Sequence, residues 1–157
     1  MSELEFPSTA SRPVHLSWRF LALVAAGGAL GTTIREALTL LIPPWGAFPA
    51  ATFLINVVGA FLLGALLESL MRRGPDEGRR RSIRLFVGTG ILGGFTTYSS
   101  LAADTALRLS ASQAEVGLLY AGATLFVGAV ASWGGIAAAS AVHHARVAAA
   151  QRREGAP

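Results

Sequence analysis

From Val116 to Val142 the chain carries no charged side chain. A helix over that range rises 1.5 Å per residue and is long enough to cross the roughly 30 Å hydrocarbon core of a bilayer. Three more stretches have the same character. The first runs from about Phe20 to Ile42, interrupted late by Arg35 and Glu36; the second, from about Ala50 to Leu70, is uncharged until Glu68. The third, from about Ile83 to Leu107, has no charge between Arg84 and Asp104. The apolar runs are continuous and lack two-residue alternation, so they predict helices rather than strands. The expected fold is an all-α membrane protein with four transmembrane helices. Only 14% of the 157 residues are charged, against about 25% in soluble domains, which excludes a soluble enzyme of ordinary composition. With no cysteine, disulfide scaffolds, thiolate metal sites and cysteine nucleophiles are excluded as well.

The connections divide the chain into a polar N-terminal segment (1–16), a four-helix domain (17–145) and an Arg-bearing tail (146–157). Pro43, Pro44 and Pro49 bracket the first connection, outside any helix interior. The second, Arg72 to Arg84, is rich in Gly, Pro and Arg, and the third is the short stretch from Ser110 to Glu115. The N-terminus does not read as a cleaved leader: its first charges are acidic, and the first apolar run is too long for a signal-peptide core. All thirteen basic residues are arginines. With four spans, eleven of them fall on one side (Arg12, Arg19, the six between Arg72 and Arg84, Arg146, Arg152, Arg153), leaving Arg35 and Arg108 toward the other. The positive-inside rule makes the rich side cytoplasmic, with both termini inside a multi-pass protein of the plasma (cytoplasmic) membrane.

Polar residues at membrane depth face a partner helix or a water-filled path. Asn56 lies a third of the way into the second span, one turn after Thr52; its amide serves either as glue between helices or as a donor to a ligand. The third span, "VGTGILGGFTTYSSLAADT", sets four glycines beside Thr96, Thr97, Ser99 and Ser100, with Tyr98 among them. This pattern predicts a mid-membrane break, tolerated only where backbone is buried in protein or lines a cavity; close helix packing is the competing reading. Thr124 and Ser132 lie two turns apart, a spacing at which both hydroxyls can lie on one face of the fourth span. Arg35 reads either as an interfacial residue or as an attractor of anions to a vestibule. No carboxylate lies near the middle of a span, all three histidines are near the ends of the chain, and HExxH, GxSxG and P-loop motifs are missing. Catalysis is not expected.

These residues resemble the small bacterial fluoride channels, the Fluc (CrcB) family, over about Leu21 to Ala141. The matching segments are "GGALGTTIR" ending in Arg35, "NVVGAFLLG" from Asn56, "GTGILGGFTTYSS" from Gly88 and "YAGATL" from Tyr120, in the family's order and spacing. The resemblance implies two four-helix subunits packed antiparallel, with two narrow fluoride pathways along their interface and passive export of the ion. It places Asn56 as the pore-lining amide, and Tyr98 and Leu101 at the positions of two pore-facing phenylalanines. It assigns Thr97, Ser100, Thr124 and Ser132 to the hydroxyl-lined path and Arg35 to the vestibule. Gly93 and Thr96 would offer backbone carbonyls to a structural sodium ion (Na+). Amide, hydroxyl and ring-edge donors carry partial positive charge without a full charge, so they can replace part of an ion's hydration shell and still release it.

Leu101 lacks the ring of the family pattern, and Gly128 stands where a hydroxyl is frequent. The lopsided arginines favour one insertion direction. The chain is therefore expected in a homodimer or, favoured by that bias, in a heterodimer with an oppositely oriented homologue. Two alternatives are a non-conducting or half-pore partner subunit and a small coupled cation transporter, the latter disfavoured by the missing intramembrane carboxylate.

Overall fold

The computed structural model describes residues 17–154, so the expectations for 1–16 lie outside the described residues. The described part is almost entirely helical: α1 (Trp18–Leu41), α2 (Ala50–Met71), α3 (Gly78–Ile83), a π-helical stretch (Arg84–Leu92), α4 (Gly93–Phe95), α5 (Tyr98–Ser110) and α6 (Ala114–Glu154). Among the described residues, three helices are long and apolar enough to cross a membrane: Trp18–Leu41, Ala50–Met71 and Ala114–Arg153. The third apolar stretch is not one helix. It runs helically from α3 through the π-helical stretch into α4 and stops at Thr96 and Thr97, whose backbones are extended (φ −77°, ψ 156° and φ −148°, ψ 119°). α5 then restarts. The predicted break is present, on the two threonines rather than on the glycine pair before them.

The helices associate in two parallel pairs. In the first, Gly27 of α1 lies against Phe86 and Gly90, Gly31 against Ile91 and Phe95, and Gly28 against Gly94. The missing side chains let two backbones approach as membrane helices do at small-residue seams. In the second pair, Gly64 of α2 sits on the Ser132 carbonyl of α6, Gly135 sits on Phe61, and Arg72 Nη2 donates to Ser140 Oγ at 2.8 Å. The two pairs meet where Ala51, Ile55 and Phe95 are buried together, with Leu38 and Ile42 packed against them.

Between α1 and α2, Trp45 and Phe48 exchange backbone hydrogen bonds of 3.0 Å around a turn in which Gly46 takes φ +61°. Phe48 then meets the fully buried Tyr120 edge-on, ring centroids 5.4 Å apart, fastening this loop to α6. At the opposite end Asp76 accepts hydrogen bonds from Arg84 at 3.1 and 2.8 Å. That pairing holds the Asp76 carboxyl below its ordinary range. The ion pair is therefore intact above that range and is lost as pH falls through the depressed value. α6 passes without interruption through residues 146–154, where the run RVAAAQRRE is rich in strong helix formers.

Candidate functional site

The extended Thr96–Thr97 pair frees backbone groups that a continuous helix would satisfy internally, and these need other partners. Asn56 supplies them. Its Nδ2 donates to the Thr97 carbonyl at 3.0 Å, and its Oδ1 accepts the Thr97 N–H at 2.8 Å. One half-buried amide on α2 thus clamps the break. The second Nδ2 hydrogen has no partner among the described residues. Thr97 also caps α5, its Oγ1 accepting the Ser100 N–H at 3.1 Å and contacting the Ser99 and Ser100 hydroxyls at 3.1 Å.

A groove of about 350 Å³ opens beside this clamp. Asn56, Gly59, Ala60 and Leu63 form its α2 wall; Thr96, Thr97, Tyr98 and Leu101 form the wall at the break; Thr124, Leu125 and Gly128 close it from α6. Among the described residues, no formally charged side chain lines it. Tyr98 is 79% exposed at its rim, whereas Leu101 is buried. The Thr124 hydroxyl is buried and donates to the Tyr120 carbonyl at 2.7 Å, so its proton is engaged along the helix.

The structure therefore brings Asn56, Thr97, Tyr98, Leu101 and Thr124 together. It does not bring Ser132 or Ser100 into the same groove. Ser132 lies two turns along α6 in a neighbouring cavity with Gly64 and Glu68, and Leu63 lines both spaces. Ser100 is held in the α5 cap. Arg35 faces neither space: its Nε donates to the Gly94 carbonyl at 3.2 Å, and Thr32 Oγ1 approaches the same oxygen at 3.4 Å. That places the guanidinium beside the glycine pair that precedes the break. Gly93 is exposed, and its carbonyl loses its α-helical donor because the Thr97 N–H goes to Asn56. The Thr96 N–H and hydroxyl both turn back to the Leu92 carbonyl, at 3.0 and 2.9 Å.

A cluster one turn from the groove was not read from the sequence. Asp104 Oδ2 accepts from Thr52 at 3.2 Å and from Tyr120 at 3.4 Å, and Arg108 lines the same cavity with its buried Nε unpartnered among the described residues. The available signals were two i, i+4 spacings, Thr52 to Asn56 and Asp104 to Arg108, which put each pair on one helix face. The described residues contain no group of three or more His, Cys, Asp or Glu side chains able to hold a metal.

The family described as "CrcB-like protein, Camphor Resistance (CrcB)" matches residues 22–136, a range that contains every residue of the groove. The chain is 55% identical over 133 residues to fluoride-specific ion channel FluC 2 of Leifsonia xyli subsp. xyli, covering 85% of this chain and 92% of that one. It is 44% identical over 128 residues to FluC 1 of Cutibacterium acnes, covering 78% and 86%. FluC of Methanopyrus kandleri is 40% identical over 136 residues, with 85% and 98% covered. The chain is thus a multi-pass membrane protein that belongs to the CrcB/FluC family, a family of ion channels and not of enzymes.

Proposed function

We propose that the chain is one subunit of a passive, fluoride-specific channel of the plasma membrane, crossing it four times with α3 to α5 as the broken third span and both termini cytoplasmic. The observation that carries this reading is the groove beside the Asn56–Thr97 clamp: its lining carries no formal charge, and the second Nδ2 hydrogen of Asn56 and the ring edge of Tyr98 offer partial positive charge among apolar side chains. Such a lining can exchange for part of an anion's water shell and release it again. A negative-inside potential drives an anion outward with about 2.3 kcal/mol per elementary charge per 100 mV, so export needs no nucleotide. The exposed rim suits closure by a second, antiparallel subunit, Tyr98 standing where that copy would cover it. Ser132 extends the path along α6, with Leu63 as the shared wall, and Thr97 and Ser100 support it by fixing the start of α5.

A structural sodium ion fits the chemistry at the break. The Gly93 and Thr96 carbonyl oxygens are neutral, hard donors released from helical pairing, of the kind that broken membrane helices offer to Na+. One chain supplies two such oxygens, and an antiparallel copy would supply the same two again. When bound, the ion would lend positive charge to the interface. Exchange of sodium for a large organic cation should lower the thermal midpoint of the purified assembly by several degrees, followed by intrinsic fluorescence; an unchanged midpoint overturns the assignment.

The arginine distribution favours a heterodimer. Arg19, the Arg72–Arg84 group, Arg146, Arg152 and Arg153 share one end of the bundle, because α1 runs parallel to the third span and α2 parallel to α6, whereas Arg108 lies at the other end. That asymmetry favours a single insertion direction, so an opposed homologue would complete the pair and supply the ring that Leu101 lacks. The deciding experiment is fluoride efflux from liposomes, with chloride as control, for the chain alone and co-expressed with a homologue. Selective efflux in either preparation supports a channel. Efflux only in the second supports the heterodimer, and none in both overturns the proposal.

A further inference from the structure

Where α2 ends beside α6, Arg73, His143 and Arg146 converge on a small cavity of about 50 Å³, whose wall also includes Arg72, Ser69 and Val142. Arg72 is already engaged: its Nε pairs with the buried Glu68 carboxylate, and its Nη2 donates to Ser140. Its charge is offset, and its role is to tie the helices together. Arg73 and Arg146 are different, since among the described residues neither has a carboxylate within ion-pair distance. The cavity therefore holds two uncompensated guanidinium groups and an imidazole. By contrast, Arg80 and Arg81 in the adjoining loop donate to the Pro75 and Asp76 carbonyls, and Arg84 to the Asp76 carboxylate. Arg73 and Arg146 thus add their charge to an end of the molecule already rich in arginine, and they are the two that meet at a cavity.

Position identifies the ligand. Arg73 lies just past the end of α2, and Arg146 lies on α6 four residues after the uncharged run that ends at Val142, where apolar side chains give way to polar ones. Met71 (72% exposed), Val142 (50%) and Val147 (42%) surround them with apolar surface. A ligand that suits both parts has a phosphate for the guanidinium forks and an acyl chain for the flank. Arginine is well shaped for bidentate phosphate contacts, and basic pockets between membrane helices select anionic head groups. We propose that this cavity binds the phosphate of an anionic membrane phospholipid. The site is independent of the ion pathway and does not require that the groove conduct.

Native mass spectrometry of the purified full chain, titrated with phosphatidylglycerol or with phosphatidylcholine of the same acyl chains, tests it. The wild-type protein should retain phosphatidylglycerol in preference to phosphatidylcholine, and millimolar inorganic phosphate should not displace it. The R73Q/R146Q variant should lose affinity by about 30-fold. R152Q/R153Q removes the same charge farther along α6 and should stay within about threefold of wild type. Substantial recovery of binding in R73K/R146K supports a charge-reading site. Equal weakening in both glutamine variants, equal retention of the two lipids, or displacement by phosphate alone would each overturn the proposal. Should R73Q/R146Q fold poorly, R146Q alone and the wild-type comparison of lipids still decide it.

Discussion

Asn56→Asp is expected to reduce fluoride efflux by on the order of a hundredfold or more while leaving the protein folded. The reason lies in what each half of the amide does. Oδ1 accepts the Thr97 N–H, and a carboxylate oxygen can keep that bond. Nδ2 donates to the Thr97 carbonyl, and a carboxylate cannot. The break should therefore survive, held by one bond rather than two, beside a full negative charge in the groove. Two unit charges 4 Å apart at an effective dielectric of 20 interact by about 4 kcal/mol, and every 1.4 kcal/mol is a factor of ten. Asn56→Ala separates the structural contribution from the electrostatic one. It removes both bonds, leaves the Thr97 N–H and carbonyl without their partner, and should cost roughly 1–3 kcal/mol for each buried group left unsatisfied. Efflux from liposomes together with thermal midpoints distinguishes the two variants. Undiminished efflux in Asn56→Asp would remove Asn56 from the path.

Gly94→Val should prevent assembly. A β-carbon at Gly94 falls on the Gly28 backbone carbonyl, with the Gly28 carbonyl carbon and Cα both at 3.1 Å. Side chains can turn aside, but a helix backbone at a seam cannot move without carrying its neighbours. Ordinary overpacking costs about 1–3 kcal/mol, and a branched residue against fixed backbone belongs at or beyond the upper end. Arg35 and Thr32 both reach the Gly94 carbonyl, so displacement of the seam would disturb them too. The expected result is aggregated or absent protein by size-exclusion chromatography. Gly122→Ala is the control: nothing lies within 4 Å of the added carbon, and the change should be neutral or slightly stabilising through helix propensity. Unaltered assembly of Gly94→Val would mean that α1 and the third span are not in such close contact.

The sequence made the helices readable because lipid demands long uncharged runs, and the predicted stretch from Ala50 to Leu70 ends within one residue of α2. Its glycines and hydroxyls also announced the break. Its position was less legible, since glycines favour both unwinding and close approach; here Gly90 and Gly94 stay helical to admit α1, and the unwinding falls on Thr96 and Thr97, where Asn56 captures the freed N–H. Contacts across the chain were harder still. Arg35 had two local readings, interfacial or vestibular, but its partner is a carbonyl 59 residues away. Asp104 looked like a residue near a span end, and only the fold sets it between Thr52 and Tyr120. Ser132 shares a helix face with Thr124, as its spacing indicated, yet the Gly64 contact puts it in the next cavity.

The uninterrupted α6 has a practical consequence. Forty-one helical residues measure about 60 Å, twice the thickness of the hydrocarbon core, so a substantial part of this rod must stand clear of the lipid. A soluble reporter spliced onto the helix after Glu154, in phase with its turn, would be carried on a stiff lever whose direction is set inside the membrane. For a particle with so little mass outside the bilayer, that lever is a natural mount for an imaging fiducial.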